Sequence, residues 1–495
     1  MSNIFKSQPN IVWLLTDHNV FKYHGSNGGP VPEMPNFQNI ASQGISFPNA
    51  YSACPLCTPA RASMLTGQYP HKHGLVQNDG ACNTHAEFDQ NTKLFNYYLQ
   101  NAGYRCGYFG KWHCGNDYIA KDYGFEGWSL PKYGRPYISE KYDEYLKELN
   151  LPEPIVNIEW YFNDPKHIGS FPLKKLLAKK YWRLSSGVFE TPLETHESFF
   201  VTHLACKWLE ERANKNERFC LRVDPWGPHQ PYYVAKPFAN TIDNKSIPEY
   251  PNFSHNLNDR PKHHREHRDM VHKQIELKTW DDWQPIVARC YEQVKLVDTA
   301  LGRVLDTLNR LGLSENTLVI YTADHGDGIG SSGGILDKDA MMTEETMRIP
   351  LAISWAGLEN KSTKCNAMVS NMDIVPTILD AAGISENLDG DSLFKFIQDT
   401  SSWREDIMCE HHGHGTVCFQ RYLRYKNYVY IAHLDDIDEL YDIENDPFQL
   451  KNKINDTEMK PILNEMKKRL YKQMEKYKDN ELMAEKLKEK KLNNL

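Results

Sequence analysis

The sequence contains no long apolar run, since none of its stretches approaches the ~20 consecutive apolar residues that a membrane-spanning helix needs. The opening residues, MSNIFKSQPN, do not contain the apolar segment of a secretory signal. Internal repeats and low-complexity tracts are also missing. These absences predict a cytoplasmic protein without a membrane partner.

The excess of negative over positive charge is small as well. The 495 residues carry a formal net charge of -8, with 25% charged and 40% hydrophobic residues. This balance is typical of an ordinary globular protein and is too mild to indicate binding to a polyanion. We therefore expect no nucleic-acid partner.

The cysteines do not have the pattern of a disulfide framework. The eleven cysteines are an odd number, scattered over a long chain. Small disulfide-stabilised domains instead have an even number of cysteines at regular spacings. Most of these cysteines are therefore expected to be small buried hydrophobic residues.

Strand and helix patterns alternate along most of the chain. Short apolar runs typical of buried strands are NIVWLLTD (10–17), RCGYFG (105–110), RFCLRVD (218–224) and NTLVIYTAD (316–324). Helical patterns occur between them, at 34–44, 199–215 and 290–312. This alternation predicts an α/β fold with a large, mostly parallel or mixed sheet sandwiched by helices.

The pattern changes after residue 361. One more helix is predicted at 368–383, antiparallel strands at 421–434 and 438–447, and a charged helix from 457 onward with Ile462, Met466 and Leu470 on one stripe. We therefore predict a large domain over 1–361 and a smaller α+β subdomain over 362–495. Two stretches without clear periodicity, 133–186 and 240–283, are predicted to be long surface insertions that shape a substrate pocket.

One segment, CTPARASMLTG at 57–67, places a cysteine directly before a helix-compatible run. With Cys54 it forms the pair CPLC, which by itself suggests a redox pair or half of a zinc site. A zinc site needs a second pair of ligands, and a redox fold is far smaller than this chain. Neither interpretation fits the surrounding sequence, and a buried structural cysteine is the simplest alternative.

The residues Cys57, Pro59 and Arg61, followed by Leu65-Thr66-Gly67, resemble the signature C-x-P-x-R…L-T-G of type I sulfatases, a family of the alkaline phosphatase superfamily. Further segments match that family in chain order: Asp17 after the first strand, GKWHCG (110–115), PHQPY (228–232), ADHGDGIG (323–330) and ELYDIENDP (439–447). The chain departs from the signature at Ala60, where many members have serine. The resemblance implies an alkaline-phosphatase-like fold in which 1–361 is the catalytic domain.

The resemblance also implies the chemistry of the site. In that family a dedicated maturase oxidises the signature cysteine to formylglycine, whose hydrate attacks the sulfur of a sulfate ester. Arg61 then stabilises the hydrate, Lys111 and Lys338 bind the sulfate oxygens, His229 protonates the leaving group, and His113 removes a proton from the remaining hydroxyl. Cys57 is therefore predicted to be the precursor of the nucleophile.

A divalent cation is part of the same implication. The metal ligands implied by the resemblance are Asp17, His18, Cys57, Asp324 and His325. Calcium is the first choice, with manganese and magnesium as alternatives. His18 stands where the family usually has Asp or Gln, and imidazole suits calcium and magnesium poorly. Either His18 is a pocket-wall residue outside the metal shell or the ion is softer, such as manganese.

The predicted function is hydrolysis of the sulfate ester of a small sulfated carbohydrate. One alternative is a phosphonate or phosphate ester hydrolase of the same superfamily, with which His325 is compatible, although GKWHCG is typical of sulfatases. Another is a binding protein without catalysis, in which Cys57 remains a thiol. Trp160, Tyr161 and Trp226 are candidates for stacking on a sugar ring or for simple packing, and the histidines of EHHGHG (410–415) are candidates for contact with substrate hydroxyls. The sequence leaves the oligomeric state open.

Overall fold

A computed structural model of the chain describes residues 8–21, 32–162, 167–179, 182–274, 277–358, 362–399, 401, 403–480 and 482–492. The boundary predicted between residues 361 and 362 falls beside 359–361, outside the described residues, so the division into two domains stays a prediction. None of the helices in the described ranges combines the length and apolar character that crossing a membrane requires.

An eight-stranded sheet forms the centre of the molecule. Its strands, in spatial order, are β13 (Thr363–Lys364), β2 (Ile45–Ser46), β12 (Leu351–Ser354), β11 (Thr317–Ala323), β1 (Asn10–Thr16), β9 (Phe219–Asp224), β4 (Arg105–Lys111) and β5 (Glu126–Leu130). The five strands from β11 to β5 are parallel, whereas β12 is antiparallel to β11 and to β2. This mixed, mostly parallel sheet confirms the predicted fold class.

Helices cover both faces of the central sheet because β1 is apolar on both sides. Val12 and Leu14 belong to one hydrophobic cluster, and Trp13 and Leu15 belong to the other. The first cluster includes residues of α1 (Pro35–Gln43), α7 (Glu197–Asn214) and α9 (Trp280–Arg310). The second includes residues of α2 (Cys57–Thr66), α4 (Phe95–Asn101), α11 (Ile374–Ala381) and α12 (Leu393–Gln398). A strand buried on both faces is what a parallel sheet requires.

The C-terminal part forms a separate antiparallel sheet, as predicted. Its strands are β15 (Asp406–His411), β16 (Gln420–Tyr425), β17 (Tyr428–His433) and β18 (Glu439–Asp442), in that spatial order. Helix α13 (Lys460–Lys476) buries Met466 and Leu470 against this sheet, with Ile462 packed at the margin of the same cluster. The predicted stripe is therefore a packing surface.

The two stretches predicted as irregular insertions contain regular structure. A four-stranded sheet is built from β6 (Ile155–Tyr161), β7 (Gly169–Pro172), β8 (Ser185–Phe189) and β10 (Tyr232–Ala235), and helix α8 (Lys262–Gln274) lies in the second stretch. The strands are short, β6 and β7 are only partly buried, and β8 pairs with β10 from the far side of α7. Because helix α8 is rich in histidine and arginine, its sequence lacks the regular spacing of apolar residues that predicts a helix.

The remaining elements are short or peripheral. They are β3 (Ala50–Tyr51), β14 (Val369–Ser370), α3 (Pro70–His73), α5 (Glu140–Glu148), α6 (Leu173–Leu176), α10 (Glu344–Met347) and α14 (Leu482–Leu492).

Candidate active site and metal centre

The site lies at the carboxyl edge of the central sheet, where Asp17 follows β1 and Asp324 follows β11. These strands are parallel, with Thr16 paired to Ala323, so the two carboxylates leave the sheet side by side. Lys111 ends β4 and Asp224 ends β9 at the same edge, and all four side chains are fully buried. Ligand sites in open α/β sheets are expected at this edge.

Helix α2 brings Cys57 to the two carboxylates. Cys57 is the first residue of the helix, and all ten helical residues are buried. Gly67 ends the helix in the left-handed conformation, φ 68°, and its N–H donates to the carbonyl of Ser63. The positive end of the helix dipole therefore lies at Cys57, where negative charge is favoured.

Four of the predicted metal ligands form one buried cluster, which we call the strand-end site: Asp17, Cys57, Asp324 and His325. One donor atom from each lies within 4.8 Å of all the others. Cys57 Sγ is 3.1 Å from His325 Nε2 and 4.0 Å from Asp17 Oδ1. His325 Nδ1–H donates to the Gly326 carbonyl at 2.8 Å, so Nε2 carries the free lone pair. Two carboxylates and one such imidazole are a donor set that fits a divalent cation.

Arg61 ties the carboxylates of this edge together. Its Nε donates to Asp324 Oδ2 at 2.9 Å, and its Nη1 donates to Asp224 Oδ2 at 3.0 Å and to the Lys111 carbonyl at 2.8 Å. A planar guanidinium can make these bonds simultaneously, whereas a lysine cannot. Arg61 is therefore a fixed cation one helical turn after Cys57.

The charges of the site act on one another across short distances. Burial and Asp324 raise the pKa of Asp17, but Lys111, which forms an ion pair with it, and Arg61 outweigh them and hold that pKa below its usual value. Burial also opposes ionisation of Cys57, yet Lys111 and Lys338 lower the pKa of its thiol. The cysteine side chain therefore sits where positive charge dominates.

His18 contributes its backbone to the site, and its ring packs edge-on against that of His325, with centroids 5.0 Å apart, while its ring nitrogens face residues outside the site. Its backbone, at φ 64°, donates an N–H to Asp324 Oδ1 at 3.0 Å. Its ring Nδ1 is 3.1 Å from Gln230 Oε1, and Nε2 is 3.3 Å from Asp337 Oδ1. The strand-end site thus assembles without the His18 imidazole, which occupies the wall next to His229, with ring centroids 4.7 Å apart.

The other predicted residues surround Cys57. His229 Nδ1–H donates to the Gln230 carbonyl at 2.6 Å, and burial holds the pKa of His229 well below its usual value. His113, at φ 54°, places Nε2 3.5 Å from Asp79 Oδ1. Lys338 Nζ donates to Asp337 Oδ1 at 2.8 Å. Lys338 and His113 both act on the Cys57 thiol, and His229 lies within electrostatic reach of Asp17 and Lys338, so these side chains from distant segments lie around one place.

Sequence reasoning did not assign a role to three residues that hold this arrangement. Asp224 accepts hydrogen bonds from Arg61, Arg222 and Tyr108, and its position after a predicted strand was the available signal. Asp337 accepts a hydrogen bond from Lys338, and only its position next to Lys338 in the sequence indicated a role. Glu197 also had none, although its carboxylate accepts the N–H groups of Trp226 and Gly227, each at 3.1 Å.

Glu197 supports the loop that carries His229. Burial raises its pKa to about 7, and the three hydrogen bonds that it accepts limit the rise. The carbonyl of Gly227 in turn accepts the N–H of Asp17 at 3.1 Å. The loop is thereby fastened both to α7 and to the end of β1.

The two cysteines of CPLC point to different surroundings. Both are buried and neither forms a disulfide. Cys54 lies near Glu410 and Cys409, outside the strand-end site, and burial raises the pKa of its thiol well above the usual value. The structure therefore gives no support to a CPLC redox pair or metal site.

The aromatic and histidine candidates for substrate contact differ in placement. Trp226 is buried, and its Nε1–H donates to the Tyr133 carbonyl at 2.6 Å, so it packs beneath the loop. His414 of EHHGHG comes close to the site from the C-terminal sheet. Burial and the charge of Lys338 lower the pKa of His414 to about 4, partly offset by Asp337.

Comparisons with known proteins identify the family of the chain. Residues 9–384 match the sulfatase family profile, and residues 332–476 match the profile of the N-sulphoglucosamine sulphohydrolase C-terminal region. The chain is 26% identical to an N-acetylglucosamine-6-O-sulfatase of Bacteroides thetaiotaomicron, over 96% of this chain and 88% of that protein.

Solved structures share the fold along nearly the whole chain. One is a protein in complex with its substrate D-glucosamine-2-N,6-O-disulfate, with a TM-score of 0.74, 23% identity and coverage of 96% and 99% of the two chains. Another is the phosphonate monoester hydrolase of Agrobacterium radiobacter, with a TM-score of 0.73, 18% identity and coverage of 95% and 96%. These likenesses show that the chain shares the fold of both proteins.

Because the family profile covers most of the chain, the protein belongs to the sulfatase family of sulfuric ester hydrolases. The family predicted from the signature around Cys57 is thereby confirmed.

Proposed function

We propose that the protein hydrolyses the sulfate ester of a small sulfated carbohydrate, through a formylglycine derived from Cys57 and with a divalent cation. The observation that carries the proposal is the convergence of Cys57 with Asp17, Asp324 and His325 at the carboxyl edge of the sheet. The support for a carbohydrate is that the similar proteins named above include an N-acetylglucosamine-6-O-sulfatase and a protein bound to glucosamine disulfate.

We propose Asp17, Asp324 and His325 as protein ligands of the cation, with the modified Cys57 side chain as the fourth. Calcium remains the first choice, because carboxylate oxygens suit it, and manganese is favoured next by the imidazole nitrogen. When bound, the cation supplies Lewis-acid stabilisation of negative charge and lowers the pKa of a hydroxyl beside it. The ligand role predicted for His18 stays a prediction, and its ring lies outside this cluster.

The proposed nucleophile needs a covalent change in Cys57. A maturase partner would convert the thiol to the aldehyde of formylglycine, whose hydrate offers one hydroxyl to attack sulfur. Arg61 can hydrogen-bond the hydrate, since its Nη2 has no hydrogen-bond partner among the described residues and lies 3.6 Å from Asp17 Oδ1. A buried guanidinium without a full set of acceptors is suited to an additional oxygen.

Lys111 and Lys338 are the proposed sulfate-binding cations. Both ammonium groups are almost fully buried, and their charges reach Cys57 strongly enough to lower the pKa of its thiol. A sulfate ester surrounds its sulfur with negatively charged oxygens, so a nucleophile can approach only where fixed positive charge offsets them. Substrate sulfate would exchange part of the contact that these lysines make with Asp17 and Asp337.

Proton transfer is assigned to two histidines on opposite segments. His229 holds its proton on Nδ1, so Nε2 is the atom available to the leaving-group oxygen. In the absence of substrate its low pKa keeps it neutral, and an arriving sulfate would raise that pKa by placing negative charge beside it. His113, held beside Asp79, is the proposed base for the second proton.

The test is release of inorganic sulfate. A panel of sulfated monosaccharides and glycosaminoglycan disaccharides, assayed by ion chromatography with matured enzyme, should contain at least one substrate. Because the phosphonate hydrolase shares the fold, matched aryl sulfate and aryl phosphonate esters should be compared in the same assay. A higher kcat/KM for the sulfate ester is expected. A phosphonate preference by orders of magnitude would overturn the proposal in favour of the phosphonate hydrolase alternative.

A further inference from the structure

A cleft of about 680 Å³ opens beside the proposed catalytic residues. Its walls come from the segment after β5 and from the segment that follows α6. The volume is within the usual range for sites that enclose small ligands. It is therefore large enough to hold the part of a substrate that extends beyond the sulfate group.

The cleft and the active site share a wall at Tyr133. Lys111 Nζ lies 4.5 Å from the centroid of the Tyr133 ring, and the Tyr133 hydroxyl is 3.4 Å from His229 Nδ1. Asp79, which also lines the cleft, faces His113. A sulfate held by Lys111 would therefore lie one side chain, that of Tyr133, away from the cleft.

Positive charge dominates the cleft. Its lining includes the cations Lys132, Arg135, Lys179 and Arg183 and a single acid, Asp79. The guanidinium of Arg183 lies 4.7 Å from the centroid of the Tyr133 ring, and that of Arg135 lies 5.8 Å from the centroid of the Trp182 ring. An arginine resting on an aromatic face loses less freedom when it binds an anion at its edge.

These cations have no salt-bridge carboxylate within the described part of the chain. Arg135 donates only to a carbonyl, that of Leu177, at 3.4 Å. By contrast, Lys174 on neighbouring α6 forms an ion pair with Asp143 at 2.7 Å. Asp79 is close enough to Arg183 for their charges to interact, but one carboxylate cannot neutralise four cations, so the cleft keeps an excess of positive charge that an anionic ligand would offset.

We infer that this cleft binds a second anionic group of the sugar substrate, with Arg135 and Arg183 as specificity-determining residues. The inference rests on the proposed function, since it concerns what else the sulfated sugar carries. A carboxylate and a second sulfate both match the paired N–H groups of a guanidinium. The two sources differ in place: a second sulfate lies on the same ring, and a uronate carboxylate lies on the next sugar.

The experiment compares three sugars that share one scissile sulfate. The first has no other charge, the second carries a second sulfate, and the third is a disaccharide with a neighbouring uronate. Wild-type kcat/KM, from sulfate release, should be about 10- to 100-fold higher for at least one doubly charged sugar, mainly through a lower KM. Arg183→Gln and Arg135→Gln should each reduce that ratio toward one, and salt should reduce it in the wild type.

Arg310→Gln is the matched control, because Arg310 is an exposed arginine that pairs with Glu210 outside the cleft. It should leave the ratio unchanged. If Arg183→Gln does not fold, Arg183→Lys should retain part of the preference. Equal kcat/KM for singly and doubly charged sugars, or a ratio that neither cleft variant alters, would overturn the inference. Absence of sulfate release from all three would instead count against the proposed function, and calorimetric binding of the same sugars would still test the cleft.

Discussion

Two buried clusters in this molecule look alike in composition and differ in how their atoms are used. The strand-end site holds Asp17, Cys57, Asp324 and His325, and a second cluster holds His71, Glu410 and Asp479. In each, the potential ligand atoms lie within 4.8 Å of one another. Proximity alone therefore does not distinguish a metal centre from a structural network.

In the second cluster the potential ligand atoms already form hydrogen bonds with one another and with neighbouring residues. His71 Nδ1 is 2.5 Å from Glu410 Oε1, and His71 Nε2 is 3.1 Å from the Tyr477 carbonyl. Asp479 accepts two hydrogen bonds from Arg421, at 2.7 and 3.1 Å. In the strand-end site, by contrast, the His325 lone pair faces the Cys57 thiol, which the proposed modification would replace with oxygens. The second cluster fastens α3 to the end of α13. We propose that the first, although Lys111 and Arg61 also bind its carboxylates, receives the cation.

The largest expected effect distinguishes Cys57 from Cys54. Cys57 belongs to the strand-end site, and Cys54 lies near Glu410 of the second cluster. Cys57→Ser should lower sulfate release by at least about 10³-fold, because the proposed nucleophile can no longer form. Cys54→Ser should retain most activity, since Cys54 faces Glu410. Mass spectrometry of the peptide with Cys57, from cells with an active maturase, should show the aldehyde. An unmodified thiol throughout would favour the binding-protein alternative, and equal inactivation by both variants would revive a CPLC site.

The next effect concerns metal content. Asp17→Asn should lose the bound divalent metal and at least about 100-fold in activity, because a ligand and a charge are removed together. Asp479→Asn is the matched change in the second cluster and should purify with the same metal content as wild type. Elemental analysis of the purified variants measures the difference. Metal loss from Asp479→Asn, with Asp17→Asn unaffected, would reverse the assignment of the two clusters.

The smallest effect is on stability and its dependence on pH. Glu410→Gln should lower the free energy of unfolding by about 3 kcal/mol near neutral pH, since it leaves His71 buried without its charge partner. Burial opposes protonation of His71, but Glu410 outweighs it and raises the pKa of His71 above its ordinary 6.5. The stabilisation is complete below that ordinary value and is lost as pH rises through the raised pKa.

Denaturant unfolding at several pH values tests this sign. The difference between wild type and Glu410→Gln should shrink as pH rises from about 6 to about 9, because His71 then becomes neutral in both proteins. His71→Gln should remove the same pH dependence. A difference that instead grows with pH would contradict the proposed charge state of the pair.

The parts of the site that could be predicted were those with a local signal. Asp17 and Asp324 each follow an apolar run that predicts a buried strand, and parallel strands end at one edge. Cys57 and Arg61 are one helical turn apart in a recognisable segment. In these cases the information lies within a few neighbouring residues.

The parts that could not be predicted depend on contacts between distant segments. Asp224 follows a predicted strand, as Asp17 does, but nothing near it indicates that it binds Arg61 across 163 positions of sequence. Glu197 accepts hydrogen bonds from the backbone N–H groups of Trp226 and Gly227. Any acidic residue at that position could do the same, so its sequence context does not indicate the role. The sheet of β6, β7, β8 and β10 pairs short strands with weak alternation, so only the assembled fold reveals it.

The central position of β1 has a consequence for how the molecule comes into being. This strand precedes both of its partners, β9 and β11, which emerge from the ribosome some two hundred and three hundred residues later. Until then its two edges remain open to wrong pairing. Asp324 arrives with β11, the later of the two, so the carboxylate pair comes together only when this strand docks, and a chain interrupted before that strand would have Cys57 but no complete site for it.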